Sequence, residues 1–118
     1  MLPVVRGDRV QIQQVVLNLI INSFEAMKDA ELKKMIVRTS IGKEGFITVS
    51  IEDSGAGIDK KPPALLFEPF YTTKKEGLGM GLAINKAIIE THGGSIWARN
   101  NADKGAVFYF TLPLAEKL

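Results

Sequence analysis

The sequence has no cysteine and only one histidine among its 118 residues. The absence of cysteine excludes disulfide bonds and thiolate metal sites, and it fits a reducing compartment. No apolar run approaches the roughly 20 residues that a membrane-spanning helix needs, and no signal-peptide pattern opens the chain. We therefore expect a cytoplasmic domain that makes no direct membrane contact.

The charged residues form no block of one sign. Fifteen basic and 13 acidic residues are spread along the chain and give a formal net charge of +2. Because a basic stripe marks most nucleic-acid-binding surfaces, its absence here predicts no nucleic-acid partner. The length of 118 residues and the hydrophobic content of 46% predict a single domain, residues 1–118, built around one core.

A first helix is predicted near the start of the chain. Asp8 and Gln11 have the spacing of a capping box, and helical spacing of apolar residues continues to about Lys28. The apolar residues that recur at this spacing are Val15, Val16, Leu19, Ile20, Phe24 and Met27. This recurrence supports the prediction of a helix.

The other elements alternate strands with one further long helix. They are strands at 35–41 and 46–53 joined by a hairpin turn, a short helix near 64–67, a helix at 81–91, and strands at 95–99 and 106–112. The second helix stops at Gly93-Gly94, where a left-handed cap is expected. The connection at 68–77 is long and rich in Pro, Thr, Lys and Gly, which is typical of a functional loop.

Two asparagines interrupt the first helix four residues apart, although asparagine is a poor helix former. Asn18 and Asn22 belong to one polar stripe with Gln11, Gln14 and Glu25. The stripe could simply be the solvent face, and this interpretation suits the two glutamines best. For the asparagines we favour a functional one, because amide oxygens that line a wide site are suitable ligands for Mg²⁺.

A carboxylate closes the strand predicted at 46–53. Asp53 has the same parity as Ile47, Val49 and Ile51, so it should point into the core with them. Backbone N–H groups of the following DSGAGI turn could satisfy it. Alternatively, the carboxylate accepts a hydrogen bond from an exocyclic amine such as that of adenine, and Gly55 and Gly57 let the base come close to the backbone.

Three glycines alternate in EGLGMGL, directly before the second helix. Glycines at a helix start can fold backbone N–H groups around phosphate oxygens, but they also occur in ordinary turns. The segment is not a dinucleotide fingerprint, since Leu82 stands where the third glycine is required. No G-x-x-x-x-G-K-[ST] phosphate loop is present either.

Taken in order, QVVLNLIINSFEAM, DSGAGI, LFEPFYTTK, GLGMGLAI and GAVF resemble the N, G1, F, G2 and G3 boxes of the catalytic ATP-binding domain of bacterial sensor histidine kinases. The sequence NSFEAM is similar to the N-A-x-E-A-M of nitrogen-regulation-type kinases. The resemblance implies an α+β fold, a two-layer α/β sandwich (the Bergerat ATP-binding fold). Its mixed, mostly antiparallel sheet would carry the helices on one face, with ATP under a mobile lid.

The resemblance also implies roles for individual residues. Asn18 and Asn22 match the catalytic asparagines, with Asn22 as the Mg²⁺ ligand, and Asp53 matches the adenine-reading aspartate. The other residues implied to bind nucleotide are Gly55, Gly57, Ile58, Thr72, Thr73, Lys74, Gly77, Leu78, Gly79, Met80, Gly81 and Leu82. The cofactors implied are ATP and Mg²⁺.

The chain departs from the family pattern at two places. Glu25 stands where many relatives have a lysine, and Ala106 and Val107 stand where relatives often have a hydroxyl residue near the adenine carboxylate. Water would then supply the hydrogen bond to the Asp53 carboxylate that a hydroxyl side chain provides in relatives. His92 lies at the end of the second helix, and we interpret it as a structural residue rather than as the phosphoacceptor.

The resemblance implies a protein-histidine kinase domain that donates the γ-phosphoryl group of ATP in two-component signal transduction. The chain lacks the dimerising hairpin with the phosphoacceptor histidine, so we expect a fragment of a longer protein, which itself could be membrane-anchored. Expected partners are that dimerisation domain and a response regulator. The alternatives are a serine kinase of the anti-sigma type and a non-catalytic nucleotide-binding regulatory module of the same superfamily.

Overall fold

The computed structural model describes residues 7–42, 45–58, 66–68, 81–101 and 104–114. Within these ranges it contains two helices, α1 (Arg9–Ala26) and α2 (Gly81–Thr91). It also contains four strands, β1 (Met35–Ile41), β2 (Phe46–Asp53), β3 (Ile96–Asn100) and β4 (Ala106–Pro113). These bounds agree with the predicted ones within two residues, and those of β1, β2 and α2 are identical to them.

The four strands form one sheet in the order β1-β2-β4-β3. All three pairings among the described strands are antiparallel, and Ile51 of β2 lies opposite Val37 of β1 and Phe108 of β4. Both helices pack on the same side of the sheet, because α1 contacts β2 while α2 contacts α1, β3 and β4. The result is the predicted two-layer arrangement of helices on a sheet.

Alternation along β2 decides which side chains enter the core. Ile47, Ile51 and Asp53 are buried, as their shared parity predicts, whereas Thr48 and Ser50 on the other face are only half-buried. Phe67, from the short turn at 66–68, packs edge-to-face on Phe108 with ring centroids 6.3 Å apart. The buried core cluster consists of Val15, Leu19, Ile47, Ile51, Phe67, Ile88, Ile89, Ala98, Ala106, Phe108, Phe110 and Leu112.

The predicted capping box forms only in part. The Asp8 carboxylate accepts a hydrogen bond from Gln11 N–H at 3.1 Å, which caps α1 as expected. The reciprocal bond of a capping box would run from Asp8 N–H to the side chain of Gln11. Asp8 N–H donates instead to Nε2 of His92, at 2.9 Å. Nδ1 of His92 lies 2.7 Å from the carbonyl oxygen of Ile88, so it is the ring nitrogen that carries the proton. His92 therefore joins the end of α2 to the start of α1, in agreement with a structural role.

Helix α2 ends in the predicted left-handed cap. Gly93 has φ +84°, and the N–H of Gly94 donates to the carbonyl oxygen of Ile89 at 2.9 Å. This six-to-one bond, together with the bond from Gly93 N–H to the Glu90 carbonyl oxygen at 3.0 Å, forms a Schellman cap. The cap turns the chain directly into β3.

Not all apolar residues of α1 are buried. Phe24 is 59% exposed, together with Val10 and Leu17 on the outer side of the helix, while Ser23 is buried in its place. A spacing of three or four residues is satisfied by two adjacent helix faces, so periodicity alone could not choose between Ser23 and Phe24. In the described ranges, neither helix is long and apolar enough to cross a membrane.

Candidate functional site

The side chain of Asp53 is almost completely buried, with 3% exposed, where β2 ends. Its Oδ1 accepts hydrogen bonds from the N–H of Gly55 at 2.9 Å and from that of Ala106 at 3.3 Å. The turn therefore satisfies one carboxylate oxygen, as the simpler interpretation predicted, and a backbone N–H of β4 stands in for the missing hydroxyl. No described residue donates to Oδ2, so this oxygen can accept a hydrogen bond from a ligand amine.

The glycines after Asp53 are required by the protein itself. A Cβ on Gly55 would overlap the carbonyl oxygen of Ala26, the last residue of α1, and the same oxygen accepts a bond from Ala56 N–H at 3.1 Å. Gly57 has φ +84°, a backbone conformation that residues other than glycine rarely adopt. The turn is thereby held against the C-terminal end of α1, and close approach of a base to these glycines stays a prediction.

Asn100 holds the segment that follows this turn. Its Oδ1 accepts from Ile58 N–H at 2.6 Å, and its Nδ2 donates to the Ile58 carbonyl oxygen at 3.1 Å. A Cβ on Gly57 would lie 2.9 Å from the same Oδ1, so only glycine leaves room for this contact. Sequence reasoning placed Asn100 in the turn after β3, because nothing local indicates a partner 42 residues away.

We expect Asn100→Ala to weaken binding of ADP by about 3- to 10-fold, because Ile58 loses two hydrogen bonds that fix its backbone. Calorimetric titration measures this change. Asn101→Ala is the matched control, since among the described residues the side-chain amide of Asn101 donates to the nearby Lys104 carbonyl oxygen, at 3.5 Å, and not to Ile58. Equal weakening by the two substitutions would contradict a specific role for Asn100.

The asparagines of α1 lie on the side of the helix that meets α2. Nδ2 of Asn18 donates to Oδ1 of Asn85 at 3.1 Å, and Asn85 is fully buried in α2. Asn22 is partly buried one turn further along α1. The solvent-face alternative is therefore wrong for Asn18. The sequence did not predict a role for Asn85, because this residue lies among the apolar residues of a helix.

Helix α1 connects the two halves of the predicted site. At Asn18 it contacts α2, and at Ala26 it contacts the turn at 53–56. The two positions are eight residues apart, which corresponds to about 12 Å along the helix. Ile58 and Leu82, one from each half, both pack against the core cluster.

Several predicted site residues cannot be placed. Those that lie outside the described residues are Thr72, Thr73, Lys74, Gly77, Leu78, Gly79 and Met80. Gly81 is the first residue of α2 and is exposed, and a Cβ there would point into open space. The predicted phosphate-binding role of these glycines stays a prediction.

A metal site of the kind made by several acidic or histidine ligands is absent from the described ranges, where no three such side chains converge. The polar groups that do line this side of α1 include the amides of Asn18 and Asn22. Mg²⁺ fits such a donor set, because it takes few protein ligands and completes its shell with water and phosphate oxygens.

The family model described as histidine kinase-, DNA gyrase B-, and HSP90-like ATPase matches residues 7–116 of the chain. The chain belongs to this family. Among its relatives, the sensor protein FixL of Bradyrhizobium diazoefficiens is 44% identical over 96% of this chain and 22% of FixL. The sensor histidine kinase TmoS of Ectopseudomonas mendocina is 44% identical over 97% of this chain. The chain spans 12% of TmoS, so it corresponds to a small part of both relatives.

Solved structures of the ATPase family have the same fold. The nucleotide-free catalytic domain of the histidine kinase ThkA is 39% identical over 93% of this chain and 70% of that one, with a TM-score of 0.80. These similarities confirm the predicted α/β architecture and an ATP-binding domain of the kind found in sensor histidine kinases.

Proposed function

We propose that this domain binds Mg-ATP and donates the γ-phosphoryl group to a histidine on a separate dimerisation domain of its parent protein. The observation that carries the proposal is the buried Asp53 carboxylate, in which the backbone occupies Oδ1 and no described donor reaches Oδ2. An acceptor-only oxygen on an almost completely buried side chain selects a ligand with an amine, as in adenine, over one with a carbonyl.

His92, the one histidine of the chain, does not fit the role of phosphoacceptor. Both nitrogens of His92 are engaged in hydrogen bonds with Asp8 and Ile88. The amide of Asn18 cannot take a proton from water, so it cannot serve as a general base for hydrolysis. An ATP-binding domain with these properties needs an acceptor from elsewhere, and a neutral imidazole of another domain can attack without a base.

We further propose that Asn22 supplies an oxygen ligand to Mg²⁺, with Asn18 beside the phosphates. The metal would neutralise charge on the β- and γ-phosphate oxygens. Thr72, Thr73 and Lys74 would belong to a lid over the nucleotide, with Gly77, Gly79 and Gly81 as its phosphate-binding hinge. This assignment rests on the resemblance of the motifs.

The relatives support a sensor-kinase assignment for the parent protein. Their names include sensor proteins and, in Bacillus subtilis, sporulation kinases A and E. The anti-sigma alternative is therefore not favoured. We propose a cytoplasmic domain of the nitrogen-regulation-like subclass, residues 1–118, whose parent protein passes the phosphoryl group on to a response regulator.

A phosphotransfer assay, in which this chain and the helical hairpin are supplied as separate proteins, tests this proposal. We expect the chain with γ-labelled Mg-ATP to remain unlabelled, and to label a separately supplied helical hairpin of the parent protein on its histidine. Asn22→Ala should weaken Mg-ATP binding by about 10-fold while leaving metal-free ADP binding within about 2-fold, since the substitution removes the proposed metal ligand. Acid-labile label on His92, or rapid phosphate release without the hairpin, would contradict the proposed division of labour.

A further inference from the structure

Two buried side-chain atoms in the described ranges have no hydrogen-bond partner. They are Oγ of Ser23 and Nδ2 of Asn85. Buried polar groups are normally satisfied, so each exception requires an explanation. Both lie beside the proposed site, because Ser23 directly follows Asn22 and Asn85 bonds to Asn18.

The position of Asn85 is otherwise apolar. It shares the buried side of α2 with Ile88 and Ile89, three and four residues further on. A buried amide at such a position costs free energy unless its polar atoms are paired, and here one of them is not. The hydrogen bond from Asn18 Nδ2 to Asn85 Oδ1 thus offers an explanation for a polar residue at position 85.

That bond restricts the amide of Asn18. An amide group is planar, with its oxygen and nitrogen on different sides of the carbon, so a nitrogen turned towards α2 turns the oxygen away from α2. Without an acceptor on α2 the amide could rotate about its last side-chain bond, which is a broad torsion with weak preferences. Rotation would present a donor and an acceptor in turn to whatever lies beside α1.

We propose that Asn85 is a positioning residue for nucleotide binding. Its Oδ1 holds Nδ2 of Asn18 against α2 and so directs Oδ1 of Asn18 towards the metal-bound phosphates. The inference rests on the proposed function, and it adds a residue on α2 that touches neither nucleotide nor metal. A purely structural pair would instead fix the contact between the two helices and leave ligand binding unchanged in a folded variant.

A double-mutant cycle distinguishes these roles. The four proteins are the wild type, Asn85→Leu, Asn18→Ala and the double variant, each titrated with Mg-ATP and with metal-free ADP. Leucine has nearly the shape of asparagine and removes the unpaired amide, so thermal stability should be equal or higher. We expect Asn85→Leu to weaken Mg-ATP binding by about 3- to 10-fold and metal-free ADP binding by less than about 2-fold.

The coupling between substitutions at Asn18 and Asn85 distinguishes a positioning role from a purely structural one. In the Asn18→Ala background, Asn85→Leu should have no further effect on Mg-ATP binding, because the amide it positions is gone. Ile88→Val is the control for packing of α2, and its effects should be the same with and without Asn18. Asn85→Ser, whose shorter hydroxyl ends too far from Asn18, should reproduce the weakening if the leucine variant does not fold.

Two results would overturn the inference. One is a folded Asn85 variant with unchanged affinity for Mg-ATP, and the other is an equal loss of affinity in both Asn18 backgrounds. Both leave the proposed function intact, because the wild type still binds. Failure of the wild type itself to bind Mg-ATP would refute the proposed function and this inference together.

Discussion

An Asp53→Asn variant should lose most of its affinity for ADP and gain affinity for GDP. The asparagine keeps Oδ1 as acceptor for the N–H groups of Gly55 and Ala106, so the turn should survive. The other carboxylate oxygen becomes an NH₂ donor, which opposes the adenine amine and matches the guanine carbonyl. Since a hydrogen bond to a charged group contributes about 1.5–3 kcal/mol, we expect ADP to bind about 10- to 100-fold more weakly.

Glu52→Gln is the matched control for this substitution. It makes the same change from acid to amide one residue earlier, on the opposite face of the sheet, where Glu52 pairs with Arg38 at 3.2 Å. Competition titrations with ADP and GDP should show wild-type preference in this control. An Asp53→Asn protein that still prefers ADP by the wild-type ratio would refute base reading by Asp53.

Gly105→Ala should destabilise the domain by about 3–5 kcal/mol, the largest stability effect that we expect. Gly105 has φ +88°, and a Cβ there would overlap the backbone carbonyl oxygen of Asp53. The left-handed conformation accounts for about 1–2 kcal/mol and the overlap for the rest. Because the overlap involves backbone on both sides, no rotamer change can relieve it. Urea denaturation measures the loss.

Gly45→Ala separates the two causes. Gly45 has a similar φ of +81°, but apart from its chain neighbours no described residue would have an atom within 4 Å of a Cβ there. This control should lose only about 1–2 kcal/mol, the cost of the left-handed conformation. Equal destabilisation by the two substitutions would mean that the packing of Gly105 against Asp53 contributes nothing.

The strands and the orientation of Asp53 could be predicted because the necessary signals are local. Alternation of apolar residues sets the inward face of β2, and glycines bound the hairpin on both sides. Asp53 follows from the same parity as Ile47 and Ile51, so its burial required no knowledge of the rest of the chain. The second helix was similarly bounded by glycines at both ends.

Contacts between distant segments could not be predicted in this way. Asn85 and Asn100 each owe their role to a partner more than 40 residues away, Asn18 and Ile58 respectively. Their local patterns indicate only a helix and a turn. The exposure of Phe24 could not be predicted for a related reason, since burial on α1 depends on where the sheet lies, and a spacing of three or four residues fits two adjacent faces of the helix.

Helix α1 contacts both halves of the predicted site, so its length and twist set the distance and the angle between them. Each residue of an α-helix adds a rotation of about 100° and a rise of about 1.5 Å. One residue inserted between Asn22 and Ala26 would therefore turn the proposed base-reading end by about 100° relative to the proposed phosphate end. Substitutions on the outer side of the helix leave that register unchanged, whereas a change in its length separates the asparagines from the carboxylate with which we propose that they act.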